Sequence, residues 1–216
     1  MRALLVTVSI LLSALLVSGT DFTQADSSTD TAPKTKIAAS ALRQDMRKLW
    51  SDHVIWTRSY IVAAVGNQPD NKAASVRLLK NQEDIGAAIV PFYGKEAGDQ
   101  LTVLLKDHIT IAVALINAAK SGDKAAYAEA DKRWQANGEE ISDFLSKANS
   151  NWSKAALVDM MKMHLSSTTK EVTSRLEKKW EDDVAAFDEA YAHILKMADA
   201  LSDGIIKQFP DRFTGE

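Results

Sequence analysis

The run Leu101-Thr102-Val103-Leu104-Leu105-Lys106-Asp107-His108-Ile109-Thr110-Ile111-Ala112-Val113-Ala114-Leu115 decides the fold. Leu101, Leu104, His108, Ile111 and Leu115 recur at alternating spacings of three and four, the seam of a packed α-helix. One member of that seam is polar, and a buried imidazole must find partners inside the protein or cost free energy. The same arrangement returns along the chain. His53, Asn81, His108, Asn137, His164 and His193 lie 28, 27, 29, 27 and 29 residues apart, each in the middle of a helical segment. The midpoints between them fall at Asn67, Gly94–Lys95, Gly122–Asp123, Ser150–Asn151 and Lys178–Lys179. All but the last carry turn residues. In helices that run up and down, residues equidistant from a turn stand at one height. The chain therefore reads as all-α: an up-and-down bundle of about six helices in three tandem hairpins, crossed at mid-height by a His/Asn layer.

The segments follow from the same periodicity. The first helix is expected over about Ala41–Val65, with Ser40 as N-cap and Gly66 as a left-handed end; Leu42, Met46, Leu49, His53, Trp56 and Tyr60 form its seam. The second, about Asn71–Phe92, is ended by Pro91 and Gly94. The third spans about Glu96–Ala119 and the fourth about Lys124–Ala148, the latter capped by Asp123. Gly138, inside the fourth, points to a bend or a close helix approach. The fifth and sixth are expected over about Ser153–Lys179 and Asp182–Lys207, with Gln208-Phe209-Pro210 as the stop. No Gly or Pro divides these two. An unbroken helix from Ser153 to Lys207 would be about 80 Å long at 1.5 Å per residue, too long for a compact domain.

An internal repeat supports the hairpins. Asp52-His53 matches Asp107-His108, and Arg77-Leu78-Leu79-Lys80-Asn81 matches Arg133-Trp134-Gln135-Ala136-Asn137, an offset of 55 to 56 residues. The third hairpin fits the spacing but carries His193 where the others have asparagine.

Composition bounds the function. The net charge is −3 with both signs mixed, so no basic stripe offers a nucleic-acid footprint. Cysteine is absent, which removes disulfides, thiolate metal sites and cysteine nucleophiles. Residues 1–19 read as an export signal: Arg2 is followed by a nearly unbroken apolar run from Ala3 to Leu16, and then by small residues. Thr20 stands where a lipidated cysteine would be. Residues 20–37, rich in Ser, Thr, Asp and Lys, read as a tether leading to a domain over 38–213. No other run is apolar and unbroken for long enough to span a membrane, so none is expected in the mature chain, which is placed outside the cytoplasm.

The polar layer supports two readings. In one, each group fixes helix pairing and is satisfied by its neighbours. In the other, His53, His108, His164 and His193 hold a transition metal, with Glu189 sharing a helix face with His193 four residues on. Imidazole and carboxylate ligands suit Zn, Cu, Fe or Ni. Haem between two histidines, or soft Cu(I) ligation by Met160, Met161 and Met163 beside His164, are variants of that idea. No nucleophile elbow, phosphate loop or dinucleotide fingerprint occurs, so an enzyme of the cell envelope ranks lowest.

His53-Val54-Ile55-Trp56-Thr57-Arg58, Asn81-Gln82-Glu83-Asp84-Ile85-Gly86, and the ending from Met197-Ala198-Asp199 to Gln208-Phe209-Pro210 resemble a group of exported bacterial helical proteins without an established activity. The likeness runs from about Leu49 to Phe213. Some of those proteins carry a glycosyltransferase label, for which the residues here supply no site. The resemblance implies a secreted or envelope-associated bacterial protein and brings no catalytic residues. The expectation is an exported, non-enzymatic bundle with a binding or structural role and an unspecified protein or envelope partner; metal or haem binding is the alternative.

Overall fold

Apolar residues at helical spacing form six helices in the computed structural model, which describes residues 36–214. They are α1 (Ala39–Val65), α2 (Asn71–Tyr93), α3 (Lys95–Ser121), α4 (Lys124–Ala148), α5 (Lys154–Leu176) and α6 (Trp180–Gln208). The expected signal segment and nearly all of the expected tether lie outside the described residues. Each helix packs on its sequence neighbours, and α6 returns to α1, closing a ring. α1, α3 and α5 also touch one another. The first helix of each hairpin thus lines the centre, with the second outside it. α3 is the one described helix long and apolar enough to cross a membrane, at a mean hydropathy of 1.5. Its central place, against both flanking helices and the other two inner ones, accounts for that composition.

The boundaries hold to within a few residues, with corrections that have local causes. α1 begins at Ala39, so Ser40 lies inside it and caps nothing. Its start is tied down instead by β1 (Ile37–Ala38), which pairs in parallel with β2 (Phe213–Thr214). Ile37, expected in the tether, belongs to the domain. Gly66 is not left-handed (φ −79°); Asn67, at φ 54°, makes the turn. Pro91 does not end α2 but sits within its last turns, and Gly94 ends it. Asp123 caps α4, its carboxylate accepting from the backbone N–H groups of Ala125 (3.1 Å) and Ala126 (3.0 Å). The break between α5 and α6 falls where the layer spacing places it: Lys178 adopts φ 60°. A lysine there costs about 1 kcal/mol or more relative to an ordinary backbone, which is why composition gave no warning.

One close approach sets a helix distance, and a second seats Trp152 of the α4–α5 connection against α6. A Cβ at Gly86 of α2 would lie 1.9 Å from Thr102 Oγ1 and 2.6 Å from the Gly98 carbonyl oxygen of α3. A Cβ at Gly204 would lie 1.8 Å from the Trp152 indole nitrogen. Gly138 differs: a Cβ there would meet Met161 and Leu165 no closer than 3.5 Å, ordinary van der Waals contact. The close approach expected at Gly138 therefore occurs at Gly86–Gly98 instead. Gly86→Ala is expected to lose about 1–3 kcal/mol through overpacking, whereas Gly138→Ala gains up to about 1 kcal/mol of helix propensity. Urea denaturation of both variants checks the contrast.

Candidate functional site

All six layer residues are buried: His53, Asn81, His108, Asn137, His164 and His193. Hydrogen bonds repeat from hairpin to hairpin. Asn81 Nδ2 donates to the Leu49 carbonyl (3.0 Å), and Asn137 Nδ2 to the Leu104 carbonyl (3.1 Å). In the third hairpin His193 Nε2 bonds the Met160 carbonyl at 2.8 Å. Leu49, Leu104 and Met160 each stand four residues before the inner-helix histidine, so one rule covers all three hairpins. The outer helix supplies an N–H to the second lone pair of an inner-helix carbonyl. His193 replaces asparagine without changing the bond.

The inner histidines converge. The ring centroid of His164 lies 5.5 Å from that of His53 and 5.9 Å from that of His108. They come from α5, α1 and α3. Between them is a cavity of about 20 Å³, which Thr57, Thr168 and Trp134 also line. That is room for one water-sized molecule. Thr57 and Thr168, each four residues after its histidine, donate to the carbonyls of His53 (2.7 Å) and His164 (2.9 Å). Apolar packing resumes about two turns beyond the layer with Tyr60, Ile61, Ile116 and Val172.

A partner fixes the tautomer of His108. Asn137 Nδ2 is committed to Leu104, so its Oδ1 accepts from His108 Nδ1 at 2.7 Å. His108 is therefore protonated on Nδ1, and its buried Nε2 has no partner. Gln82 Nε2 donates to the Leu78 carbonyl (2.8 Å) and Asn81 Oδ1 (3.1 Å), and also faces His53 Nδ1 at 3.3 Å. The two amide hydrogens go to the two shorter contacts, so the His53 ring is a close neighbour of Gln82 and its tautomer is not set by it. His164 Nδ1 is buried and unpartnered. Burial holds all three rings neutral. It lowers His53 to about 3, with the nearby His108 adding to the effect, and lowers His108 to about 4. His164 falls well below the usual histidine range, through burial first and then the neighbouring histidines.

Not every expected ligand joins this group. Glu189 lies on the surface, 3.1 Å from Lys170, and so does not share a site with His193. His193 is committed to the Met160 carbonyl. Met163 is exposed, so the three methionines do not converge on His164. Among the described residues no three His, Asp or Glu side chains are arranged to hold a metal ion. A metal needs bare ring nitrogens, and the buried, unpartnered ones here are one on His108 and one on His164, two rather than three or four. A haem would need space far beyond a cavity of about 20 Å³.

A second buried polar group was not expected from the sequence. Arg58 of α1 bonds Glu171 Oε1 of α5 at 2.8 Å and both carboxylate oxygens of Asp183 of α6, one of them at 2.8 Å. Arg175 Nη1 bonds Asp183 Oδ2 at 2.8 Å. The Glu171 and Asp183 side chains are only 3% and 1% exposed, so these ions are interior. Burial pushes the Glu171 carboxyl up to about 6, against the pull of Arg58. Burial acts on Asp183 the same way, but the bonds from Arg58 and Arg175 win and hold it below its usual value. A signal was present: Arg58 is spaced four and three residues from Val54 and Ile61, and Asp183 is three before Ala186, so both fall on buried stripes. Comparisons with protein families, curated proteins and solved structures gave no match.

Proposed function

We propose that the protein is an exported, non-catalytic helical bundle that acts as a rigid binding or structural body in the cell envelope or outside the cell. The observation that best supports this is the repeated N–H to carbonyl bond of Asn81, Asn137 and His193. Through it each outer member of the polar layer joins its helix to the inner one. The inner histidines are buried and neutral, facing about 20 Å³ of space rather than a cleft that could admit substrate. Export rests on the Arg2 and Ala3–Leu16 pattern. The likeness to exported bacterial helical proteins points the same way.

One observation favours transition-metal binding as a second reading: His108 Nε2 and His164 Nδ1 are buried without partners. The two readings separate in one experiment. Protein purified without a His-tag is expected to be folded and metal-free, and titration with Zn²⁺ or Cu⁺ should leave its melting temperature unchanged. His108→Asn and His164→Asn then alter stability alone. Stoichiometric metal, lost in both variants, would overturn the structural reading in favour of the second.

A further inference from the structure

The first two hairpins carry the same charges on the same face, but only the first is filled. In the first, the Arg77 guanidinium lies 5.4 Å from the centre of the Trp56 ring, 3.7 Å from Asp52 and 3.8 Å from Asp84. Lys80 adds its ammonium to Asp84 at 2.7 Å. An aromatic ring and a cation thus complete an acid–arginine–acid row. The repeat offset carries Asp52, Arg77 and Asp84 onto Asp107, Arg133 and Glu140. It carries Trp56 onto Ile111, and Lys80 onto Ala136. The three charged residues are kept, although Arg133 makes no ion pair within 4.0 Å with Asp107 or Glu140, and the ring and the ammonium that complete the first hairpin are gone. In their place a groove of about 330 Å³ opens between α3 and α4, lined by Asp107, Ile111, Arg133, Ala136 and Glu140 among others. Arg133, Asp107 and Glu140 are exposed, whereas Arg77, Asp52 and Asp84 are half-buried. Past Glu140 the seam continues into a second hollow of about 530 Å³. Two hollows in line along a helix pair suit a polypeptide better than a small molecule.

We infer that the α3–α4 groove binds a partner polypeptide through an aromatic side chain set beside a basic one. The ring lies on the Arg133 guanidinium as Trp56 lies on Arg77, and the cation meets Glu140 as Lys80 meets Asp84. The first hairpin displays the bound arrangement within the same chain. The inference gives a partner chemistry to the binding reading above, and its test is separate. Metal titration reads the interior and this experiment reads the α3–α4 surface, so either can fail alone.

Tryptamine, an indole with an ammonium group, is the minimal probe. Titrated into the full chain and followed by amide NMR, it should give saturable shifts confined to Leu104–Ile111 and Arg133–Glu140. Indole-3-propionate, with the charge reversed, should bind more weakly. Arg133→Ala should weaken tryptamine binding roughly two- to fivefold, the range of an exposed cation–π contact. Ile111→Trp and Ala136→Lys refill the groove as in the first hairpin, and each should block the probe. Should Ile111→Trp not fold, Ala136→Lys, at an exposed position, carries the test. Absence of saturable shifts, shifts centred elsewhere, or binding unchanged in Arg133→Ala and Ala136→Lys would overturn the inference.

Discussion

Acidification from pH 7 to about 4.5 is expected to destabilise this domain strongly, with the inner histidines as the cause. His53 and His108 have folded values of about 3 and about 4, against 6.5 in the unfolded chain. Below pH 6.5 the unfolded state therefore binds more protons. The stability these groups contribute is complete above that pH and is lost as pH falls toward their folded values. At about pH 4.5 each unfolded imidazole gains roughly 2.7 kcal/mol by protonation, about 5 kcal/mol for the two. His164 acts in the same direction. Glu171 acts in the opposite one. Its carboxyl, raised to about 6 from 4.5, takes up a proton on folding between those values and so returns about 2 kcal/mol at low pH. The net loss from His53, His108 and Glu171 is about 3 kcal/mol, to which His164 adds, a large share of a domain stability of about 5–15 kcal/mol. Urea midpoints measured between pH 7 and 5 should fall steeply, and His108→Gln should flatten the slope by about one proton. A stability unchanged over that interval would show that the imidazoles are not buried as neutral rings.

Removing Arg58 should produce the second large effect. Its guanidinium joins α1 to α5 and α6 through Glu171 and Asp183, whose side chains are 3% and 1% exposed. Arg58→Met leaves these two buried carboxylates with Arg175 as their remaining guanidinium. Breaking one side of a buried ion group costs about 3–5 kcal/mol, because the stranded charge keeps its desolvation penalty. Adding Glu171→Gln to Arg58→Met should recover part of that loss by removing one stranded charge. Arg47–Asp199, an exposed pair at 2.6 Å, is the control: Arg47→Ala should cost no more than an ordinary surface substitution. Equal losses from Arg58→Met and Arg47→Ala would refute an interior role for Arg58.

The helices and the polar layer were legible because both rest on local periodicity. Even the α5–α6 break, which lacks Gly and Pro, was located by the spacing of His164 and His193. Long-range facts were not legible. The closure of α6 onto α1 depends on how six helices pack, and no short window of sequence encodes it. Gln82 lies one residue past Asn81, about 100° around α2, yet both reach α1, Asn81 at Leu49 and Gln82 beside His53. Glu189 failed for the reverse reason: four residues is 40° of helix rotation, enough to carry it off the edge of a seam and out to Lys170. The partner groups explain the tautomers of His108 and His193, and only coordinates show which amide faces which ring. Gly86 and Gly98 gave no sequence signal because a close approach is a property of two helices together.

The most direct measurement is the protonation state of the histidine rings, read from long-range ¹H–¹⁵N correlations of the folded protein near pH 6. Neutral rings for His53, His108 and His164 are expected, with the His108 proton on Nδ1 and the His193 proton on Nε2. Imidazolium signals from those three, titrating near the ordinary value, would contradict a buried, convergent layer at the centre of the bundle.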